Sequence, residues 1–98
     1  MLTKVKLALR IVTTAFDTEL TELINAGLED LALAGIVNDV LVDPEAYPLV
    51  SWAVITYVKY HFGEPADPER LKASYDEQKA QLQMASGYTV WTGADSCH

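Results

Sequence analysis

The chain has 98 residues, half of them hydrophobic, and its seven basic and fourteen acidic residues give a net charge of −7. This length predicts one domain with one modest core, and the composition is not that of a disordered segment. The acidic balance argues against a protein that grips nucleic acid, but not against one that surrounds DNA without holding it. The lone Cys97 excludes an internal disulfide and gives no support for secretion.

Residues 3–12 are predicted to form a first short helix, with Thr3 as its N-cap and apolar residues at steps of three and four. Lys4, Lys6 and Arg10 give this segment most of the positive charge of the N-terminal half. These three side chains form either a solvated polar face or a patch that meets an acidic neighbour, such as another copy of the protein.

Residues 17–34 are predicted to form a second, amphipathic helix. Asp17 or Thr18 is its candidate N-cap, and Gly35 is placed as the left-handed stop after the last turn. Gly27 lies within the apolar stripe, where a glycine costs about 1 kcal/mol relative to alanine. We therefore expect another helix, such as the aromatic-rich third one, to approach closely at this glycine.

The connector over residues 36–46 is too apolar to be simply solvated. It either tucks under the bundle or adds a short strand to another element, and the residues concerned are Val40, Leu41 and Val42. Asp43 and Pro44 are typical of a helix start, as cap and first helical residue. Pro48 follows four residues later, which allows the long third helix to begin only there.

Residues 47–62 are predicted to form a central helix that is apolar on most sides and must be covered on most sides. Valine, isoleucine, tyrosine and tryptophan also favour strands, but strands typically run about 4–8 residues. Lys59 and His61 interrupt the apolar run, which is too short for a membrane span of about 20 residues, so we expect no membrane association. We expect flanking helices and a second copy of the protein to wrap this helix.

Residues 68–85 are predicted to form a fourth helix, after Gly63 ends the third. Asp67 as cap and Pro68 at the first position are its start signals. Its apolar stripe is thin and is broken by Gln78, so we expect it to pack along one seam and to show a broad polar surface. The predicted fold class is therefore all-α, a small bundle of three to four helices.

Residues 1–87 are expected to form one helical domain, followed by an extended C-terminal arm over residues 88–98. The arm has strand-forming side chains but no partner strand elsewhere in the chain, so it docks on a neighbour, folds back or is disordered. We expect oligomer or partner contacts to use the polar fourth helix and the arm. The candidate partner-binding residues are Tyr75, Gln78, Gln81, Tyr88, Val90 and Trp91.

The sequence offers no convincing catalytic or metal-binding group. Residues 97–98, a cysteine and a histidine, lie at the extreme C-terminus, and His61 is interpreted as a partly buried structural histidine. The carboxylate pairs at 29–30 and 76–77 are adjacent on helices and do not face each other. No phosphate loop, zinc motif or nucleophile elbow is present. We therefore expect no catalysis, no metal and no cofactor.

Three blocks of the sequence resemble a known family. They are AVITYVKYHFG at residues 53–63, DPERLKASYDEQKAQL at 67–82 and ASGYT at 85–89. In this order and spacing they are similar to the small head–tail connector (adaptor) proteins of long-tailed bacteriophages, often labelled DNA-packaging proteins. The resemblance covers residue 2 to about residue 89. Many members of that family have a short turn after the second helix, where this chain has the apolar connector. The segment after Tyr88 matches no known pattern.

The resemblance implies a structural protein that forms a homo-oligomeric ring, commonly of twelve subunits, beneath the portal protein at the capsid vertex. Such a ring extends the DNA channel without specific DNA binding and docks a downstream head-completion or tail protein. It implies a place at the head–tail interface of the virion, and in the host cytoplasm during assembly. The alternative is an acidic helical regulator or inhibitor that binds a basic partner protein as a stable monomer or dimer.

Overall fold

The computed structural model describes residues 1–63 and 65–84. The described residues form helices and turns and contain no β-strand, which confirms the predicted all-α bundle. The elements are α1 (Leu2–Leu9), α2 (Asp17–Leu33), α3 (Asn38–Leu41), a 3-10 turn (Pro44–Ala46), α4 (Pro48–His61) and α5 (Pro68–Met84). The predicted C-terminal arm, residues 88–98, lies outside the described residues.

Helix α4 is the central element of the bundle, as predicted. It packs against α1, α2, α5 and the 3-10 turn. One face of the helix is fully buried and consists of Val50, Ser51, Ala53, Val54 and Val58. Because each fully buried aliphatic side chain contributes about 1.5–3 kcal/mol relative to exposure, this face is a major part of the core.

The close approach expected at Gly27 is present, and the approaching helix is α4. Gly27 is buried, and a Cβ at this position would lie 3.1 Å from Cδ1 of Tyr57. The absent side chain therefore lets the Tyr57 ring lie directly against the α2 backbone, which offsets the helix-propensity cost of glycine.

The predicted stops and starts of the later helices are confirmed. Gly35 has a φ of +100° just after α2, and Gly63 has a φ of +65° just after α4. Such angles favour glycine because a Cβ makes the left-handed region costly. At the start of α5, Asp67 accepts a hydrogen bond from the Arg70 N–H at 3.2 Å, so Asp67 is the N-cap.

The first helix is shorter than predicted and has no Thr3 cap. It begins at Leu2 and ends at Leu9, because Arg10 adopts a left-handed conformation with a φ of 60°. The backbone N–H of Ile11 then donates to Lys6 O at 2.9 Å and closes the last turn. Val12, the last residue of the predicted helix, lies outside α1 and is 97% exposed.

The predicted side-chain cap of α2 is also wrong. Phe16 occupies the N-cap position without a side-chain bond, and Asp17 already belongs to the first turn. The Asp17 carboxylate instead accepts a hydrogen bond from Lys6 Nζ at 2.8 Å and thereby ties α2 to α1. Competition from this ion pair explains why the carboxylate does not turn back to cap its own helix.

The apolar connector tucks under the bundle, which was one of the two alternatives. Val40 and Leu41 are buried, whereas Val42 is exposed. The start signal at residues 43–44 produces only the 3-10 turn, and α4 begins at Pro48. The buried hydroxyl of Ser51 donates to Pro44 O at 2.9 Å and fastens the turn to α4.

Replacing Gly27 with valine should destabilise the fold, because the new side chain must displace Tyr57. We expect a loss of about 1–3 kcal/mol in the free energy of unfolding, measured by urea denaturation. Ala26→Val is the matched control, since Ala26 is the exposed neighbour on the same helix. The control should cost no more than about 0.7 kcal/mol of helix propensity. Equal stability of the two variants would show that the α2–α4 contact is not close.

Candidate interaction surface

The described residues form no enclosed site with catalytic or metal-binding geometry. Within residues 1–63 and 65–84, no group of three or more His, Cys, Asp or Glu side chains could hold a metal ion. In the same part of the chain, no helix has the length and apolar character needed to cross a bilayer. The candidate functional features are therefore surfaces.

Helix α4 has an outward row of residues opposite its buried face. Leu49, Trp52, Thr56 and Lys59 follow one another at steps of three and four and so lie on one side of the helix. Trp52 is 59% exposed and Leu49 is 38% exposed. The central helix therefore leaves its largest apolar side chain uncovered.

A groove runs between this side of α4 and helix α5. It has a volume of about 380 Å³, and its lining residues are Thr56, Lys59, Ala66, Asp67, Arg70, Leu71, Ser74 and Gln78. The side-chain oxygen of Gln78 is buried and accepts no hydrogen bond from the described part of the chain. An unsatisfied buried acceptor costs about 1–3 kcal/mol, so a donor from a binding partner would be favoured here.

Tyr75 lies on another side of α5 and joins α5 to α2. It is only 7% exposed, and its hydroxyl donates a hydrogen bond of 2.5 Å to Oδ2 of Asp30. Lys79 Nζ approaches the same carboxylate oxygen at 3.3 Å and lies 5.2 Å from the centre of the Tyr75 ring. The Tyr57 ring meets the Tyr75 ring edge to face, with 5.3 Å between centroids.

These surroundings disfavour ionisation of both tyrosines. Burial, then the hydrogen bond to Asp30 and its charge, raises the pKa of Tyr75 far above its usual value. Burial and the negative charges of Asp30 and Glu29 also raise the pKa of Tyr57. Both hydroxyls therefore stay protonated at neutral pH.

A second, aromatic groove of about 230 Å³ lies beside this cluster. Its lining residues are Tyr57, Tyr60, His61, Lys72, Tyr75 and Asp76. His61 is exposed rather than partly buried, and its ring lies 4.3 Å from the Tyr57 ring and 4.9 Å from the Tyr60 ring, centroid to centroid. These contacts give His61 a packing role at the end of α4.

The structure places the six predicted partner-binding residues in different settings. Gln78 and Gln81 lie three residues apart on one face of α5, and Gln81 is exposed. Tyr75 is buried and bound to Asp30 within the chain. The remaining three residues, Tyr88, Val90 and Trp91, lie outside the described residues. Trp52 was not among the predicted contact residues, because nearly the whole of the central helix is apolar and no side of it stood out. Trp52 is separated from the polar residues Thr56 and Lys59 by steps of four and three, and this spacing could have indicated that it lies on the exposed side of the helix.

The geometry defines a small α-helical protein whose described part carries an exposed indole and two grooves. A comparison with protein families then gives a match over residues 1–89, to the family described as "Phage connector protein". This chain belongs to the phage connector protein family, a family of structural components of the virion. No curated protein and no solved structure gives a significant match.

The Tyr75 hydroxyl should make stability depend on alkaline pH. Below about pH 10 both the folded and the unfolded chain hold the Tyr75 proton; above it only the unfolded chain loses the proton. The free energy of unfolding should then fall by about 1.4 kcal/mol per pH unit for this group. Tyr75→Phe removes that contribution.

Urea denaturation of the wild type and of Tyr75→Phe at about pH 8 and about pH 11 tests this expectation. The stability advantage of the wild type should shrink by about 1 kcal/mol or more at the higher pH. Tyr57 is present in both proteins, so its own titration cancels. An advantage that is the same at both pH values would contradict the shifted ionisation.

Proposed function

We propose that this connector protein assembles as a ring, of twelve subunits as is common in such connectors, beneath the portal protein. The ring extends the DNA channel and presents a docking surface to the next head-completion or tail protein. Family membership over residues 1–89 supports a connector role rather than a free-standing inhibitor. Assembly takes place in the host cytoplasm, and the finished ring lies at the head–tail interface.

The observation that carries this proposal is the exposure of Trp52 on the central helix. A lone domain gains nothing from an indole that is 59% in water on the helix that organises its core. Large aromatic side chains dominate the energetics of protein interfaces when a partner covers them. Leu49 lies one turn away on the same side and extends the apolar area.

The groove beside Trp52 gives the same side of the molecule a polar component. The unsatisfied oxygen of Gln78 supplies an acceptor at its α5 wall, and the exposed Gln81 lies three residues further along α5. Interfaces commonly combine an apolar centre with such polar groups at the rim. We assign this side of the α4–α5 pair to contact with a neighbouring subunit or the portal.

The C-terminal arm, residues 88–98, is the second proposed contact. Its Tyr88, Val90 and Trp91 are the anchors, and the helical domain is taken to end at residue 87. The net charge of −7 on each subunit suits a channel through which DNA slides. Repeated negative charge repels phosphate within a Debye length of about 8–10 Å and so discourages sticking.

Trp52→Ser should weaken assembly without unfolding the chain. We expect at least about a tenfold loss of affinity, because the aromatic anchor is removed from the interface. Light scattering after size-exclusion chromatography, with the protein alone and with portal rings, measures the assembled mass. Leu33→Ser removes another exposed apolar side chain, at the far end of α2, and serves as the control. A wild-type protein that stays monomeric and ignores portal rings would contradict the proposed function.

Deleting residues 88–98 should leave the helical fold intact and weaken assembly. Every buried hydrophobic residue of the described core lies at or before Leu82, which is why the fold should persist. Circular dichroism measures the fold, and the same light-scattering experiment measures assembly. An unfolded truncated protein would show that the arm belongs to the core.

A further inference from the structure

The charges of the N-terminal half are separated between two neighbouring helices. Residues 1–16 contain three of the seven basic residues and no acidic one, whereas α2 contains five acidic residues and no basic one. Lys6 and Asp17 pair with each other inside the chain. Most of the remaining charged side chains of the two helices are exposed to solvent.

Helix α1 and its cap present an exposed row with a positive charge at each end. Lys4, Leu7 and Arg10 follow one another at steps of three, and Leu7 is 74% exposed. Neither Lys4 nor Arg10 makes a salt bridge within the described part of the chain. Lys4 lies close enough to Glu45 to assist the amino terminus in lowering the pKa of that carboxyl.

Helix α2 presents an exposed row of the opposite sign. Glu22, Ala26 and Glu29 lie along one side of the helix and are all exposed. A shallow depression of about 250 Å³ opens at the start of this side, and its lining residues are Asp17, Thr18, Thr21 and Glu22. Ala26 is the small apolar residue between the two glutamates of the row.

The spacing of the two rows also agrees. Lys4 and Leu7 are about 4.5 Å apart along α1, and Arg10 follows as the cap residue just beyond the helix, whereas Glu22 and Glu29 are about 10 Å apart along α2. One row can therefore lie along the other with both charged ends opposite a partner of the other sign.

The net charge of each copy restricts how two copies can meet. Chains of charge −7 repel one another, so a stable contact must place the scarce positive charges against negative ones. Outside α1, Lys72 pairs with Asp76 and Lys79 with Asp30, whereas Lys59 and Arg70 line the groove between α4 and α5. The exposed basic row of α1 is available for a neighbour.

We propose that the exposed row of α1 binds the exposed row of α2 on the next copy of this chain. Leu7 lies opposite Ala26 of the neighbouring α2, and Lys4 and Arg10 lie within reach of Glu22 and Glu29. The two rows are different faces of the subunit, so the contact is heterologous, as a closed ring requires. This interface rests on the proposed ring and names one of its contacts.

Two charge-reversed variants test the interface. The first carries Lys4→Glu and Arg10→Glu, and the second carries Glu22→Lys and Glu29→Lys. Each variant alone should assemble at least about tenfold more weakly, because like charges then face each other across the contact. An equimolar mixture should recover assembly, because each reversed row finds a complementary row on the other variant. All proteins are first checked for folding by circular dichroism.

The two variants are controls for each other, since the first makes the chain more acidic and the second less acidic. A simple effect of net charge would move their assembly in opposite directions. Assembly is measured as subunits bound per portal ring and as the mass of the free protein. Wild-type protein that assembles neither alone nor on the portal contradicts the proposed function itself. Assembly that ignores both reversals, or that mixing does not restore, overturns this interface.

Discussion

The burial of one face of α4 is the constraint on which the rest of the structure depends. Val50, Val54 and Val58 are removed from water only because α1, α2, α5 and the 3-10 turn all pack against the same helix. Two local features make this possible. Gly27 lets α2 approach the Tyr57 ring, and the Ser51 hydroxyl holds the connector through its bond to Pro44. Loss of either contact would expose the shared core.

The opposite side of α4 connects this packing to the connector role. The elements of residues 1–63 and 65–84 do not surround the helix, and Trp52 and Leu49 are exposed on its uncovered side. A phage connector works as a part of a larger assembly, so a surface that its own chain leaves uncovered is available to a neighbour. In the proposed contact between copies, the separated charges of α1 and α2 would allow one strongly acidic subunit to bind another.

Several helix ends determined by local chemistry were predictable, although the caps at Thr3 and Asp17 were not, and among the contacts between distant residues the approach at Gly27 was predicted. Gly35, Gly63 and Asp67 act within one turn of chain, and their roles follow from residue type alone. An arginine does not indicate a helix end, although Arg10 adopts the left-handed conformation that ends α1. The apolar periodicity therefore led to a predicted first helix that was too long. Nearly uniform apolarity hid which side of α4 faces water, which depends on where α2 and α5 pack. The Tyr75–Asp30 hydrogen bond joins residues 45 positions apart, and sequence periodicity cannot predict such a contact.

The environment of Trp52 before and after assembly is the most direct test of this account. The chain has two tryptophans, so Trp91→Phe leaves Trp52 as the only indole fluorophore and keeps an aromatic ring in the proposed arm contact, and light scattering first establishes that this variant assembles on portal rings. Acrylamide should quench its emission readily in the free subunit. On a portal ring the quenching should weaken and the emission should shift to shorter wavelength, because a neighbour covers the indole. Equal quenching and an unchanged emission maximum in the free and assembled protein would contradict the claim that α4 is completed by a neighbouring molecule.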